Sequence, residues 1–207
     1  MFKDRRDAGI KLAHALAKYK GGNVLVLAIP RGGVEVAYQV AQFLGADLSL
    51  LVSRKLPYPD NPEVGFGAVA EDGSTLIFGE AARWLSRETV ERIIKTQIEE
   101  IGRRIEVLRN GRPLPAMAGR TVILVDDGLA MGSTMRVAVA LCRKAKAEKI
   151  IVAVPVAGKE VAEGLTKIVD ELVVLETPPY FYAVAQVYEN WYDVPDEEVL
   201  AIMERVK

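Results

Sequence analysis

The sequence predicts an α/β protein built on a mainly parallel sheet that is covered by helices on both faces. Two observations support this fold class. Short, continuous apolar runs, of which residues 121–125 are the clearest, are typical of strands that are buried on both faces. Segments with apolar residues at helical spacing alternate with these runs, and that order is typical of parallel strands joined by helical crossovers.

The first quarter of the chain alternates twice between helix and strand. Gly21-Gly22 ends the first helical pattern and Gly45 ends the second. Between them lies a continuous apolar run, residues 24–29, which ends at Pro30. The predicted elements are a helix over 4–18, a strand over 24–29, a helix over 34–44 and a strand over 48–52.

The middle of the chain, residues 53–115, is predicted to be an insertion. It begins with a stretch rich in Pro and Gly, where the alternating pieces 64–70 and 74–78 predict a hairpin that turns at Asp72-Gly73. A long helical pattern follows over 80–109, and its mixed charges favour a solvated face.

The last part of the chain returns to alternating strands and helices after a linker at 111–119. The predicted strands are 121–125, 150–154 and 171–175, and the predicted helices are 133–146, 159–168 and 196–206. With 207 residues, the chain fits one domain over 1–207, in which 176–207 is a tail rich in aromatic residues.

The composition excludes several functional classes. The 27 Lys and Arg residues nearly balance the 28 Asp and Glu residues, so we expect no nucleic-acid partner and no membrane partner. A transmembrane run of about 18 apolar residues is missing, and the single cysteine, Cys142, indicates a reducing compartment. We therefore expect a cytoplasmic protein. With one cysteine and one histidine, His14, a His/Cys metal site is not expected.

The clearest functional pattern is the strand, loop and helix start over 122–134. Asp126 and Asp127 follow the apolar strand, and a loop of small residues then leads into the helix. The N–H groups and dipole of a helix N-terminus attract phosphate, and Gly128 and Gly132 allow the backbone to curl around it. Carboxylates beside a phosphate can accept hydrogen bonds from sugar hydroxyls. The arrangement therefore suits a ribose 5-phosphate at the carboxyl end of a strand.

Two other interpretations of this pattern are a plain turn with a helix cap and a different nucleotide motif. A P-loop is excluded, because three residues separate Gly128 from Gly132 and no Lys follows. A G-x-G-x-x-G sequence after a strand is also missing.

Residues 122–134 resemble the phosphoribosyl-pyrophosphate signature of type I phosphoribosyltransferases. The resemblance implies that Asp126 and Asp127 bind the 2- and 3-hydroxyls of the ribose. The residues that it assigns to the 5-phosphate are Ala130, Met131, Gly132, Ser133 and Thr134. One residue departs from the signature, because the family commonly has Thr where Met131 stands. That change removes a side-chain hydroxyl and keeps the backbone donor.

Two further segments resemble the pyrophosphate-binding elements of the family. Arg31, Gly32 and Gly33 follow the first strand, where a cation and a Gly-Gly turn before a helix favour an anion. In the family this segment is the pyrophosphate loop, which often contains a non-proline cis peptide. Arg54 and Lys55 begin the insertion, where the family has a flexible loop that closes over the site and excludes water. Both would bring positive charge to the leaving pyrophosphate, and a plain surface pair of cations is the alternative.

The tail resembles the hood of the 6-oxopurine phosphoribosyltransferases. This resemblance implies that Tyr182 stacks on the base and that Glu189 contacts a magnesium ion, whereas simple packing of the aromatic residues is the alternative. The purine enzymes carry a Lys near the end of the strand that matches 150–157. Here that strand ends in the apolar residues 155–158, so the acceptor base stays unassigned.

The resemblance covers most of the chain and implies a five-stranded parallel sheet flanked by helices, with a flexible loop and a small C-terminal hood over 176–207. It also implies a Mg²⁺-dependent homodimeric enzyme that transfers the 5-phosphoribosyl group of phosphoribosyl pyrophosphate to a nitrogenous base and releases pyrophosphate. The residues expected to act in catalysis are Arg31, Arg54, Lys55, Asp126 and Asp127. Two alternatives stay open: a non-catalytic sensor of phosphoribosyl pyrophosphate, and an enzyme that acts on another phosphorylated sugar.

Overall fold

The computed structural model describes residues 1–80 and 82–206, apart from the side chain of Glu63. In chain order the elements are α1 (Arg5–Ala15), β1 (Val24–Ala28), α2 (Gly33–Leu44), β2 (Asp47–Leu50), β3 (Ser53–Tyr58), β4 (Asn61–Ala70), β5 (Thr75–Ile77), α3 (Arg87–Arg109), β6 (Thr121–Val125), α4 (Ser133–Lys144), β7 (Lys149–Val156), α5 (Lys159–Thr166), β8 (Glu171–Glu176) and α6 (Asp196–Met203). Short 3-10 helices lie at Ala17–Tyr19 and Val184–Val187.

The main sheet has five parallel strands in the order β2-β1-β6-β7-β8, which confirms the predicted fold class. Side chains of β1 alternate between the two faces of this sheet. Val26 packs with α1, α2 and α6 on one face, whereas Leu27 packs with α4 on the other. Because helices cover both faces of the sheet, successive side chains of β1, and of β6 after Thr121, are all buried. These strands are therefore continuous apolar runs, without the alternation of polar and apolar residues found in a sheet with one solvated face.

The insertion contains a second sheet of three antiparallel strands in the order β3-β4-β5. The hairpin predicted to turn at Asp72-Gly73 joins β4 to β5. Arg54 and Lys55, at the start of the predicted flexible loop, lie in the strand β3 of this sheet, and closure of the insertion over the site stays a prediction. Pro57 is tolerated there, since β3 is an edge strand that pairs with one neighbour and shifts register at this residue.

The long helix α3 begins at Arg87 rather than at the predicted residue 80. Ser86 caps it, because its side chain accepts a hydrogen bond from the N–H of Thr89 at 3.1 Å. Residue 80 and residues 82–86 form turns, bends and irregular backbone instead, and Ala81, which the prediction also placed in the helix, lies outside the described residues. Across the described part of the chain, no helix has both the length and the hydrophobicity needed to cross a bilayer.

Candidate functional site

The carboxyl ends of β1 and β6 lie side by side at the middle of the main sheet, where the strand order reverses. From β1 the chain moves outward to β2, whereas from β6 it moves in the opposite direction to β7 and β8. The loops after β1 and β6 therefore diverge and leave a crevice, which is where open α/β sheets bind ligands. The segments 30–33 and 126–132, singled out in the sequence, are these two loops.

The two loops are in direct contact, and glycine makes this contact possible. A Cβ atom on Gly32 would overlap Oδ2 of Asp127 and lie 2.6 Å from its Cγ. A Cβ atom on Gly33 would lie 2.8 Å from Cα of Asp126. Only glycine permits backbone and carboxylate to approach so closely. The Pro30–Arg31 peptide bond, at the start of the first loop, is cis, as in the family loop that it resembles.

The loop after β6 is anchored to the neighbouring strand and ends in a helix N-terminus. The N–H of Leu129 donates to the carbonyl of Val156 at 2.9 Å, and the N–H of Gly158 donates to the carbonyl of Leu129 at 3.2 Å. Gly132 has φ of 70° in the left-handed region, and α4 begins at the next residue, Ser133. The first N–H groups of a helix have no intrahelical acceptor and carry the positive end of its dipole. This end of the loop therefore suits a phosphate.

The loop residues assigned to the phosphate differ in their exposure. Ala130 is exposed, and the Met131 side chain is 56% exposed. Ser133 is buried and Thr134 is half-buried. Met131 thus packs little against the protein, so packing in the core does not explain why Met stands at this position.

Asp126 and Asp127 form a crowded carboxylate pair at the end of β6. Asp126 is half-buried, and its Oδ1 accepts a hydrogen bond from the N–H of Asp127 at 2.8 Å. Burial, and next the neighbouring carboxylate of Asp127, raise the pKa of Asp126 well above its usual range. The pair is therefore stabilised by any hydrogen-bond donor placed beside it, such as a sugar hydroxyl.

Arg5, which the sequence did not single out, is brought to this pair by the fold. Nε of Arg5 lies 2.8 Å from Oδ2 of Asp127, and the two side chains are only 6% and 11% exposed. The one signal in the sequence is a cation at the first turn of a helix, where the dipole disfavours it. Nothing in the sequence connects this cation to a residue 122 positions away.

The tail lies against the loop after β6. The buried Tyr188 donates a hydrogen bond from its hydroxyl to the backbone carbonyl of Asp127 at 2.7 Å. A Cβ atom on Gly128 would lie 2.6 Å from Cγ1 of Val184, so the start of the loop is covered by the tail. The part of the tail that covers the loop thus includes Val184 and Tyr188, for which the sequence had predicted no role at the site.

The two predicted tail residues are both exposed. Tyr182 is 79% exposed, which leaves its ring accessible to a base. Glu189 is exposed, and its backbone N–H donates to the carbonyl of Phe2 at 2.9 Å. Their roles in base stacking and in magnesium binding stay predictions.

Arg31 is weakly engaged. Its Nη1 lies 3.5 Å from Oδ1 of Asp196 at the start of α6, and the Arg31 side chain is 37% exposed. An exposed pair at this distance contributes little. The guanidinium can therefore turn toward an anion in the crevice at small cost.

Arg54 and Lys55 project from opposite faces of β3, because successive side chains of a strand alternate. Nε of Arg54 donates to Oε1 of Gln97 on α3 at 3.0 Å, and burial lowers the pKa of Arg54. Lys55 is opposite Ala68 in the register, and Ala68 packs with α4. Lys55 thus lies on the α4 side, whereas Arg54 lies on the α3 side, where it is bonded to Gln97. Their joint action on pyrophosphate stays a prediction.

A protein-built metal cluster is not found at the site. Across residues 1–80 and 82–206, no group of three or more His, Cys, Asp or Glu side chains is placed to hold a metal ion. The crevice nevertheless offers carboxylate and hydroxyl oxygens, which are the atoms that Mg²⁺ prefers. This donor set fits a magnesium ion that takes most of its ligands from a substrate and from water.

Comparison with known proteins identifies the family. A model of the phosphoribosyl transferase domain matches residues 3–189, which is most of the chain. The chain therefore belongs to the phosphoribosyl transferase family, and its fold is that of the type I phosphoribosyltransferases.

Individual relatives extend this comparison. "Putative phosphoribosyl transferase Rv0571c" of Mycobacterium tuberculosis is 40% identical over 207 residues, which cover 99% of this chain and 47% of the relative. This chain thus spans about half the length of that relative. The crystal structure of TT1426 from Thermus thermophilus is 40% identical with a TM-score of 0.84, covering 100% of this chain and 99% of that one. A hypoxanthine phosphoribosyltransferase from Staphylococcus aureus shares the fold at 13% identity, with a TM-score of 0.50 over 85% of this chain and 73% of its own.

Proposed function

We propose that this protein is a phosphoribosyltransferase that binds phosphoribosyl pyrophosphate with Mg²⁺ and transfers the 5-phosphoribosyl group to a nitrogenous base. The observation that carries the proposal is the contact between the two loops, which sets Gly32 and Gly33 against Asp127 and Asp126. This contact sets the loop that carries Arg31 beside the carboxylate pair, and the loop that carries the pair leads into the N-terminus of α4, which supports an anion site at each of these two places. Phosphoribosyl pyrophosphate has the matching layout, because its sugar hydroxyls lie between a 5-phosphate and a pyrophosphate.

Each part of the substrate has a partner in this arrangement. The 5-phosphate lies at the N-terminus of α4, within the loop 130–134. The ribose hydroxyls donate to Asp126 and Asp127. The pyrophosphate lies against Arg31, Gly32 and Gly33, and bound Mg²⁺ would neutralise part of its charge.

The transfer needs no covalent bond to the protein. A nitrogen atom of the base attacks C1 of the ribose while the C1–O bond to pyrophosphate breaks. Pyrophosphate leaves with that electron pair and takes up the proton that the attacking nitrogen loses. The protein holds the two reactants in line and keeps water away from the electron-poor C1. Weakly engaged Arg31 turns toward the leaving group as its negative charge grows.

The proposal is tested by titration calorimetry with phosphoribosyl pyrophosphate and Mg²⁺, followed by a screen of nucleobases for pyrophosphate release. We expect saturable binding, and pyrophosphate release with at least one base. Binding without release for every base would favour the non-catalytic sensor. A folded protein that does not bind at all would exclude the proposal.

Asp126→Asn is expected to weaken binding of phosphoribosyl pyrophosphate by about 10- to 100-fold, because hydrogen bonds to a charged group are worth roughly 1.5–3 kcal/mol. Calorimetry at neutral pH measures the change. Glu148→Gln is the matched control, since it removes one exposed carboxylate just before β7, at the opposite end of the sheet. Equal affinities for the two variants would contradict the ribose role of Asp126.

Met131→Thr is expected to tighten binding about fivefold, because a hydroxyl donor returns to the phosphate loop and one hydrogen bond contributes on the order of 1 kcal/mol. The exposure of Met131 means that the exchange removes little buried apolar surface. Met131→Val has the shape of the Thr variant without its hydroxyl and is the control. If the Thr and Val variants bind equally, the hydroxyl does not contribute.

A further inference from the structure

Arg5 occupies a position where the local structure gives a cation no advantage. It is the first residue of α1, next to the positive end of the helix dipole. Asp4 already caps the helix, because its Oδ1 accepts a hydrogen bond from the N–H of Asp7 at 2.8 Å. Arg5 is nevertheless buried, with 5% of its surface exposed. The explanation for its position therefore lies in what its side chain contacts.

The guanidinium of Arg5 is satisfied by two segments that are distant in the sequence. Nε donates to Oδ2 of Asp127 at 2.8 Å, and Nη1 donates to the carbonyl of Tyr192 at 3.0 Å. Its Cζ lies 4.0 Å from the ring centroid of Trp191, which is a cation–π contact. Buried ion pairs are stable only when such additional bonds complete them. Arg5 thus connects α1 and the tail to the carboxylate pair.

Asp127 is held from three directions. Arg5 binds its Oδ2, the hydroxyl of Tyr188 binds its backbone carbonyl at 2.7 Å, and Gly32 packs where no Cβ fits. Because Arg5 binds Oδ2 and the backbone of Gly32 packs against the same oxygen, Oδ1 is the less obstructed acceptor for a sugar hydroxyl. The direction of that oxygen is therefore set by Arg5.

We propose that Arg5 is a positioning residue that holds the side chain of Asp127 with Oδ1 directed at the ribose. Arg5 acts through Asp127 and not on the substrate. The inference rests on the proposed function, since it is that function which places a ribose at Asp127.

Charge gives this role a signature that a purely structural role lacks. Arg5 from α1 and Tyr188 from the tail face the carboxylate pair, and the loop after β1 presents glycines to it. Burial and the charge of Asp127 raise the pKa of Asp126, and the charge of Arg5 opposes both. Without the charge of Arg5, Asp126 takes up a proton at higher pH. Ribose binding, which needs ionised acceptors, is then lost at higher pH as the solution is acidified.

The test is the affinity for phosphoribosyl pyrophosphate with Mg²⁺ from about pH 5 to about pH 9, in the wild type and in Arg5→Met, Arg5→Lys and Asp127→Asn. We expect Arg5→Met to bind about tenfold more weakly at neutral pH, and its acid limb, the loss of affinity on acidification, to begin at higher pH than in the wild type. Arg5→Lys keeps the charge and should restore most of the acid limb. Ionisation of the ligand is common to all variants and cancels in the comparison.

A second pair of variants guards against misfolding. If Arg5→Met does not fold, Arg5→Met with Asp127→Asn removes the unpaired buried charge, and we expect it to bind no more weakly than Asp127→Asn alone. Arg5 variants with wild-type affinity and acid limb, or with a loss that is equal at every pH, overturn the positioning role. A wild type that does not bind phosphoribosyl pyrophosphate overturns the proposed function and this inference together.

Discussion

Gly32→Ala is expected to lower the affinity for phosphoribosyl pyrophosphate by about 100-fold or more. The added Cβ would overlap Oδ2 of Asp127 and lie 2.6 Å from its Cγ. Asp127 cannot turn away without leaving Arg5, which lies 2.8 Å from the same oxygen. Either the loop retreats or the buried ion pair breaks, and breaking such a pair costs about 3–5 kcal/mol. Both outcomes separate the pyrophosphate side of the crevice from its ribose side.

For Gly32→Ala, calorimetry measures the affinity and thermal unfolding measures the stability, both on the same samples. Gly102→Ala is the matched control, because Gly102 lies within α3 and its Cβ would meet open space. Alanine at that helical position should stabilise the protein by up to about 1 kcal/mol without affecting the ligand. Wild-type affinity in Gly32→Ala would show that binding does not require the two loops to touch at this residue.

The sequence predicted the main sheet closely because burial on both faces produces an uninterrupted apolar run. The bounds of β6 and the start of α4 at Ser133 are as predicted. The prediction did not include β3 in the insertion, where local composition and tertiary packing disagree. Pro57 and the following Pro/Gly residues favour a loop, yet Leu56 is buried against α3 and stabilises β3 as an edge strand.

The parts of the site that the sequence predicted are those in which the functional residues are adjacent in the chain. Asp126 and Asp127 stand beside their own phosphate loop, so one segment carries the whole pattern. Arg5 and Tyr188 reach the same pair from positions 122 and 61 residues away. A single sequence shows no periodicity or spacing for such contacts, because only the packing of α1 and the tail creates them.

The ion pair between Glu71 and Arg109 is another contact between distant residues, and it attaches the insertion to the main sheet. We expect Glu71→Ala to lower the free energy of unfolding by about 3–5 kcal/mol. Glu71 accepts hydrogen bonds from Arg109 at 2.7 and 3.1 Å, and both side chains are 8% exposed. It also accepts from the N–H of Val52 at 2.9 Å, while Arg109 donates to the carbonyl of Leu50 at 2.7 Å. The truncation therefore leaves a buried, unpaired guanidinium at the junction of both sheets.

Thermal unfolding measures the effect, which for a domain of this size corresponds to a fall of roughly 6–20 °C in the midpoint. Glu91→Ala is the control, since Glu91 pairs with Arg87 at 2.7 Å on the exposed face of α3 and should not change the midpoint measurably. Similar midpoints for the two variants would contradict a special contribution from the buried pair.

Replacing both Glu71 and Arg109 distinguishes the contribution of their charges to stability from the contribution of their packing. Glu71→Met with Arg109→Met leaves no unpaired charge and should recover most of the stability, because apolar pairs often replace buried ion pairs without loss. The Glu71→Ala variant also tests the site, because Glu71 follows β4, and β4 is paired with β3, the strand that carries Lys55. If Lys55 acts on the leaving group, a folded Glu71→Ala protein should release pyrophosphate more slowly while it still binds ribose 5-phosphate normally. Equal losses of both would place the effect of Glu71 in the whole fold rather than in the position of β3.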